Sequence, residues 1–441
     1  METLHGDEAV GAASELPVSA CSRRLEDFSP DVLQRIADAP TVVWRGPRES
    51  IAAAGATASV SADGPDRFET VRETATALFE SLTGDVPRPA RPRLFGGFAF
   101  HDGARSDTTW DGFPDAWFVL PRVQVTAHNG ARWLTVTAET PDIATERLDD
   151  WQERLAGATD RERSGPPGIV DERRTPSRED WREQIEAALS DIRAARLRKV
   201  VLAQSLSVDL AGPVSIPDAL ARLDGTYPDC YRFAFTPGDE AGTFFGATPE
   251  TLVSLTDRTV RTGALAGSTG RGDTRNEDEW LAEELLDSDK DNHEHDLVVE
   301  AIREQLDPVA ERVTTGKRSI RKLATVQHLE TPIRAALDGD RHVLELVEAL
   351  HPTPAVGGLP PDAALETIKS TEAFDRGWYA APVGWIDADG DGTFAVAIRS
   401  ALARDRTATL FAGAGIVADS DPDREWDEVQ LKYRPMLDEL E

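Results

Sequence analysis

Two pairs of carboxylates in this 441-residue chain have the spacing of a shared helical face. Asp291 and Glu294 stand three apart in SDKDNHEH, and Glu425 and Glu428 stand three apart near the C-terminus; on a helix both members of such a pair project from one side. Two such faces brought together make an oxygen-rich site of the kind that hard magnesium takes, with a few carboxylates, waters and an anionic ligand. In a chain this acidic, a solvated helix face accounts for the same spacing. Lysine gives a second signal. It occurs only at Lys199, Lys290, Lys317, Lys322, Lys369 and Lys432, among 48 basic residues. A lysine kept where arginine is used nearly everywhere else fits a task that a permanently charged guanidinium cannot perform. An exposed strand-edge lysine is the plainer account of Lys199.

These residues need elements to hold them. Ser177 and Asp180 form a capping box, and Trp181, Ile185, Ala188, Leu189 and Ile192 recur at helical spacing, which predicts an amphipathic helix ending near Leu197. It leads into RKVVLAQSLSV, whose β-branched run predicts a strand with Lys199 at the junction. Further strands are predicted at YRFAFTP, TLVSLT, APVGWID, FAVAIRSAL and ATLFAGAGIV, and helices at Glu277 to Leu286, Leu297 to Leu306 and Val343 to Leu350. The regular strand, helix, strand rhythm of a parallel sheet is missing, so the expected class is α+β with mainly antiparallel sheets. Residues 1 to about 160 hold strand-like stretches such as TVVWRG, RLFGGFAFHDG and WFVLPRVQV but little chemistry. The polar stretch Thr159 to Ser177 has the composition of a linker or surface loop, dividing residues 1–170 from residues 171–441.

The bulk composition narrows the classes. The chain is 40% hydrophobic and 29% charged, enough apolar material for a sizeable core. A net charge of -31 repels nucleic acid and anionic lipid, so neither is expected as a partner. An acidic, lysine-poor surface suits molar salt, where the Debye length is about 3 Å, and a halophilic source is expected. Cys21 and Cys230 lie far apart and outside any CxxC pattern, which fits a reducing cytoplasm. No leader or membrane span is read from the sequence.

Three local patterns point elsewhere and are set aside. DADGDG, with Asp387, Asp389 and Asp391, mimics the start of a calcium loop, but Ile398 stands where an EF-hand needs its bidentate acid, so a tight hairpin turn is expected. GAGIVA satisfies a loose dinucleotide fingerprint, but the chain ends before a second strand with a ribose-binding acid. HEH at His293 to His295 lacks HExxH spacing, and neighbouring helical residues point apart, which argues against zinc.

Read together, RKVVLAQ at Arg198, GATPETL at Gly246, ALAGSTGRG at Ala264, SDKDNHEH at Ser288, VQHLETPI at Val326, HPTPAVGG at His351, WYAAPVGW at Trp378, AIRSAL at Ala397 and GAGIVADSDPDREWDEVQLK at Gly413 resemble the chorismate-utilising enzymes. That family includes isochorismate, salicylate, anthranilate and aminodeoxychorismate synthases. The resemblance covers Ser177 to the C-terminus, with FGGFAF adding a little from the N-terminal part. It implies a large, mainly antiparallel β-sandwich core surrounded by helices. It also implies a magnesium site with Glu294 and Glu428 as principal ligands and Asp291 and Glu425 in support.

By the same resemblance Lys199 is the base that activates water, and Glu250, in GATPE, is the acid that protonates the departing hydroxyl. That role needs a carboxyl that keeps its proton near neutral pH. Arg399 and Lys432 are expected on one substrate carboxylate. Gly267, Ser268, Gly413 and Gly415 would contribute backbone donors, with His328 and Tyr379 as further lining residues; a structural histidine and a core tyrosine are the plainer accounts. Ala266 stands where aminodeoxychorismate synthases commonly have a nucleophilic lysine. Ala355 stands where anthranilate-type and salicylate-type enzymes typically have threonine, and Ala381 where the family often has glycine. Ala355 with Lys199 favours water addition without loss of pyruvate. The expected activity is therefore the magnesium-dependent conversion of chorismate to isochorismate, with no obligatory amidotransferase partner. Salicylate synthase is the runner-up, and a quinone or siderophore precursor is the product's typical use.

Overall fold

A computed structural model describes residues 17–26, 30–103, 108–158 and 163–441. Its central element is the strand Lys199–Leu210, buried over nearly its whole length. On one edge it pairs antiparallel with Thr407–Ile416, in a register that sets Val201 opposite Gly415 and Ala203 opposite Gly413. On the other edge it pairs first with Gly358–Leu359 and then, from Ser205 onward, with Ile169–Thr175. A second long antiparallel pair, Thr259–Gly270 with Val326–Leu337, carries a bulge between Ala266 and Ser268. Gly267 there has φ +75°, a conformation that glycine adopts without steric cost. The helix Asp289–Leu306, from the segment between these two strands, packs on the pair, and the C-terminal helix Pro422–Leu437 packs on the Thr407–Ile416 strand.

The class is α+β with a large, mainly antiparallel sheet, as expected. Among the described residues the one parallel pairing joins Val18–Leu25 to Leu82–Thr83. Strands from both sides of the 170/171 boundary pair directly: Thr41–Arg45 with Tyr231–Thr236, and Leu94–Phe98 with Pro382–Ile386. The strand Glu49–Ala62 buries both of its faces. Ala53 faces the main core, while Ala52 and Ala54 face a smaller one with Leu134, Leu148 and Leu155 beneath the helix Pro141–Gly157. That alternation is the period-two signature of a strand between two layers.

The capped helix forms as predicted. Ser177 accepts from the Asp180 amide and the helix runs Arg178–Arg193, with Trp181, Ile185, Ala188 and Leu189 buried. It ends four residues before Leu197, at Ala194 and a positive-φ Ala195. Two expectations need correction. The proposed linker is not loop throughout, because Ile169–Thr175 is a strand; its one-sided pairing and exposed DERR run give it a polar sequence that mimics a loop. Residues 159–162 of that stretch lie outside the described residues. FAVAIRSAL is two strands, Gly392–Val396 and Ser400–Arg404, broken at Arg399, whose φ is +53°. The hairpin turn at DADGDG is as expected, with the Asp387 amide donating to the Asp391 carbonyl at 2.9 Å. His295 is buried and bonds Thr331 and the Ala266 carbonyl, a structural role that fits the argument against zinc. Both cysteines are free thiols. Among the described residues no helix is long and apolar enough to cross a membrane.

Trp110, from the N-terminal part, is fully buried and donates to the Asp375 carbonyl at 3.0 Å. It stacks on Phe411, which stacks in turn on Tyr379. Trp110→Ala is expected to cost about 3–5 kcal/mol by removing this plug, measured as a lower urea midpoint.

Candidate active site

The fold gathers every residue expected above to act on substrate or metal around one cavity of about 300 Å³; Ala381 is not among its lining residues. None of its lining residues precedes Lys199. Lys199 enters from the first position of the central strand and is 2% exposed; its Nζ donates to Glu294 Oε1 at 2.7 Å. Gly415 on the neighbouring strand leaves room for this pair, since a Cβ there would lie 3.1 Å from Lys199 Cε and 3.4 Å from Glu294 Oε1. Glu250 follows the strand Thr243–Thr248 and is 6% exposed. Burial pushes its carboxyl up to about 7, against the opposing pull of the Lys199 charge and the Thr353 hydroxyl, which donates at 3.4 Å. The acid therefore keeps a large share of its proton near neutral pH.

The strand bulge presents Gly267 and Ser268, with His328 directly across from Ser268 in register. The Ser268 hydroxyl and His328 Nδ1 are 2.8 Å apart. Burial, with the charges of Arg399 and Lys432, pushes the imidazole down to about 3, so the ring is neutral. Its buried Nε2 has no partner among the described residues, which leaves one hydrogen-bonding group for a ligand. Tyr379 is buried and its hydroxyl is pushed up to about 12 by that burial. Arg399 owes its direction to the left-handed backbone that breaks the sheet, a conformation costing about 1–3 kcal/mol. Its guanidinium donates to the Lys432 carbonyl at 3.4 Å. Lys432 in turn donates to the Gly413 carbonyl at 2.8 Å and pairs with Glu428 at 2.7 Å. Ala355 lines the cavity from the loop after His351.

Residues 23–441 match the profile of the chorismate-binding enzymes. The chain belongs to that family. It is 38% identical over 409 residues to the salicylate biosynthesis isochorismate synthase of Pseudomonas aeruginosa, covering 91% of this chain and 85% of that one. It is 38% identical over 396 residues to the isochorismate synthase MenF of Bacillus subtilis, covering 85% and 80%. The solved structure of MenF, the menaquinone-specific isochorismate synthase from Escherichia coli, superposes with a TM-score of 0.83 at 26% identity over 97% of each chain.

The four carboxylates of this chorismate-binding enzyme all line the one cavity, but among the described residues no three of them bring oxygens within 4.8 Å of one another. Ser288 caps the Asp289–Leu306 helix by accepting from the Asp291 amide, which fixes Asp291 in the first turn and Glu294 one turn on. Asp421 does the same for the C-terminal helix and places Glu425 and Glu428. Glu425 is 6% exposed, and burial, followed by the Glu428 charge, pushes its carboxyl up to about 7. Glu428 moves the other way: burial alone would raise it, but the Lys432 charge and hydrogen bond hold it below the usual range. All-oxygen donors with crowded like charges fit a hard divalent ion. Glu294 and Glu428 each already direct an oxygen to a lysine. The acids whose oxygens do lie mutually within 4.8 Å are Asp387, Asp389 and Asp391 in the hairpin turn, where Arg88 and Arg91 pair with Asp391 and Asp389.

Two groups escaped the sequence reading, one lining the cavity and one behind it. Lys290 joins Lys199 and Lys432, so three of the six lysines line this cavity, and the scarcity argument applied to Lys199 held equally for it. Thr353, the hydroxyl partner of Glu250, sits two residues from Ala355 in HPTPAVGG. Gly415→Ala is expected to leave the fold intact and lower kcat roughly 10- to 100-fold by displacing the Lys199 amine a few tenths of an ångström, read from steady-state kinetics beside circular dichroism.

Proposed function

We propose that this protein is an isochorismate synthase. A buried amine and a carboxyl that holds its proton near pH 7 face one cavity, and this observation carries the reading. The reaction adds water at ring carbon 2 of chorismate and expels the hydroxyl at carbon 4. Lys199 takes a proton from the water as the new carbon–oxygen bond forms. Glu250 gives its proton to the leaving oxygen, which departs as a second water while the ring double bonds shift. One proton is taken up and one given, so solvent resets the pair after each turnover.

Charge balance supports the substrate class. The cavity holds five carboxyls, Glu250, Asp291, Glu294, Glu425 and Glu428, against four cations, Lys199, Lys290, Arg399 and Lys432. With Glu250 protonated and Lys199 the free base, the states the reaction needs, four carboxyls face three cations, so a bound dianion meets no surplus of positive charge. Magnesium held by Glu294 and Glu428, with Asp291 and Glu425 beside them, would supply that charge and act as a Lewis acid on the ring carboxylate. Arg399 and Lys432 hold the enolpyruvyl carboxylate, with the Gly267–Ser268 and Gly413–Gly415 backbone, His328 and Tyr379 completing the pocket. Ala355 leaves the site without the hydroxyl that its pyruvate-eliminating relatives carry. Residues 1–170 then support the catalytic region, residues 171–441, from outside. We assign the protein to a salt-rich cytoplasm and to quinone supply, and the reaction needs no amidotransferase.

Incubation with chorismate and magnesium in molar potassium chloride, without ammonia or partner, is expected to yield isochorismate alone on chromatography. Salicylate with pyruvate, or anthranilate on adding ammonia, would select another branch of the family. Removing the metal with a chelator is expected to stop turnover, and Lys199→Ala to abolish it in a protein that still folds.

Glu250 gives a pH prediction. As an acid it acts while protonated, so kcat/KM is expected to fall as pH rises through about 7. Glu250→Gln removes that limb and about 100-fold or more of the rate. The stability effect has the matching sign. A carboxyl raised from 4.5 to about 7 contributes stability below pH 4.5 that is lost as pH rises through 7, an amount of roughly 3 kcal/mol at most. The Gln variant should therefore melt higher than wild type at pH 8, and the gap should close toward pH 4.5.

A further inference from the structure

The central strand has a gap on one edge. Gly358–Leu359 pairs with Lys199 and Val200, the Gly357 carbonyl accepts from the Val201 amide at 2.8 Å, and Ile169–Thr175 begins only at Ser205. Between these partners the Val201 carbonyl and the Ala203 amide face no strand. Two side chains take its place. Glu372 Oε1 accepts from the Ala203 amide at 2.8 Å, and Arg376 Nη2 donates to the Val201 carbonyl at 2.7 Å. A carboxylate thus stands where a neighbouring strand would offer C=O, and a guanidinium where it would offer N–H.

The two side chains are 3% and 1% exposed and pair with each other through two contacts, Nε to Oε2 at 2.8 Å and Nη2 to Oε1 at 2.5 Å. The remaining arm of the guanidinium, Nη1, donates to the Val356 carbonyl at 2.9 Å. Val356 belongs to the loop that carries Thr353, the hydroxyl partner of Glu250, and its own amide bonds back to the Thr353 carbonyl at 3.1 Å. The Arg376 carbonyl accepts from the Tyr379 amide at 2.8 Å. Val201, Ala355, Val356 and Tyr379 all line the cavity, whereas Glu372 and Arg376 do not.

We propose that Glu372 and Arg376 are positioning residues for the reaction, a side-chain clamp that fixes the strand bearing Lys199 against the loop that holds Glu250. The inference rests on the roles given above to Lys199 and Glu250. Arginine is required because its planar fork meets Glu372, Val201 and Val356 at once, which a lysine nitrogen cannot do. Loss of the clamp removes no group that touches substrate but lets base and acid drift apart, which lowers the chemical rate more than binding.

The test is Arg376→Lys, which keeps the buried charge, with Glu372→Gln as a second variant that keeps an acceptor for Ala203. Each is compared with wild type for kcat, KM, thermal midpoint and amide hydrogen exchange at Ala203. The expected result for Arg376→Lys is a 10- to 100-fold loss of kcat with KM for chorismate within about twofold, together with faster exchange at Ala203. Glu372→Gln should show the same split with a smaller loss. A kcat per folded molecule equal to wild type, whatever the change in thermal midpoint, would reduce the pair to a structural role and overturn the proposal. Absence of chorismate turnover in the wild type would instead remove the functional reading. Exchange at Ala203 would then still decide the clamp, with unchanged protection in Arg376→Lys counting against it.

Discussion

A lysine nitrogen almost wholly out of water, 2.7 Å from one carboxylate oxygen, is the contact around which this site is arranged. Breaking a buried pair of this kind leaves an uncompensated charge and costs about 3–5 kcal/mol. The strand that brings Lys199 and the helix that brings Glu294 must therefore arrive together. The register of the central strands puts Gly415, with no side chain, beside the lysine stem. The Ser288 cap fixes where the acidic helix begins, and so which acids face inward. A shift of one residue in either element would turn Lys199 or Glu294 away from the other.

The cavity lies where the sheet is irregular. The strand Thr259–Gly270 bulges at Gly267, the strand that would have run through Arg399 breaks there, and the edge of the Lys199 strand is open at Val201 and Ala203. Each defect exposes backbone groups or redirects a side chain that a regular ladder would have consumed. Each is also held by a neighbour: Leu329 lies 3.2 Å from where a Gly267 side chain would begin, the Arg399 guanidinium donates to the Lys432 carbonyl, and the Glu372–Arg376 pair closes the strand edge. Trp110 belongs to the same scaffolding, since its stack through Phe411 to Tyr379 links the N-terminal strands to a lining residue.

Legibility in the sequence followed the range of the interaction. Helix caps, the i, i+3 acid pairs and the hairpin turn at Asp387 to Asp391 are local, and each was readable from a few residues. The gathering of distant motifs around one cavity was readable only through the resemblance, because nothing in the spacing of Lys199 and Glu250 says that they share a cavity. What escaped was set by tertiary context. Ile169–Thr175 pairs on one edge only, so its exposed charges hid the strand. FAVAIRSAL reads as one apolar run because an arginine in left-handed conformation leaves no compositional trace. Glu372 and Arg376 stand in the helix-turn spacing of any surface ion pair, and only the gap in a strand some 170 residues earlier in the chain, as the separation of Ala203 and Glu372 shows, gives them meaning.

The contrast between surface and cavity resolves an apparent conflict in a chain of net charge -31 whose assigned substrate is a dianion. Beyond a Debye length, about 8 Å at physiological ionic strength, the surface acids are screened, so the approaching ligand responds to the cations lining the cavity. On the proposed mechanism the positive groups there are chosen by chemistry. Arginine would suffice at 399, where a fixed fork on a carboxylate is wanted. At 199 the group would have to fit beside Gly415, hold one carboxylate oxygen and be able to exchange a proton, and a guanidinium fails the last of these requirements. Three of the six lysines, Lys199, Lys290 and Lys432, line the cavity, whereas Lys322 and Lys369 pair with Asp278 and Asp102 away from it.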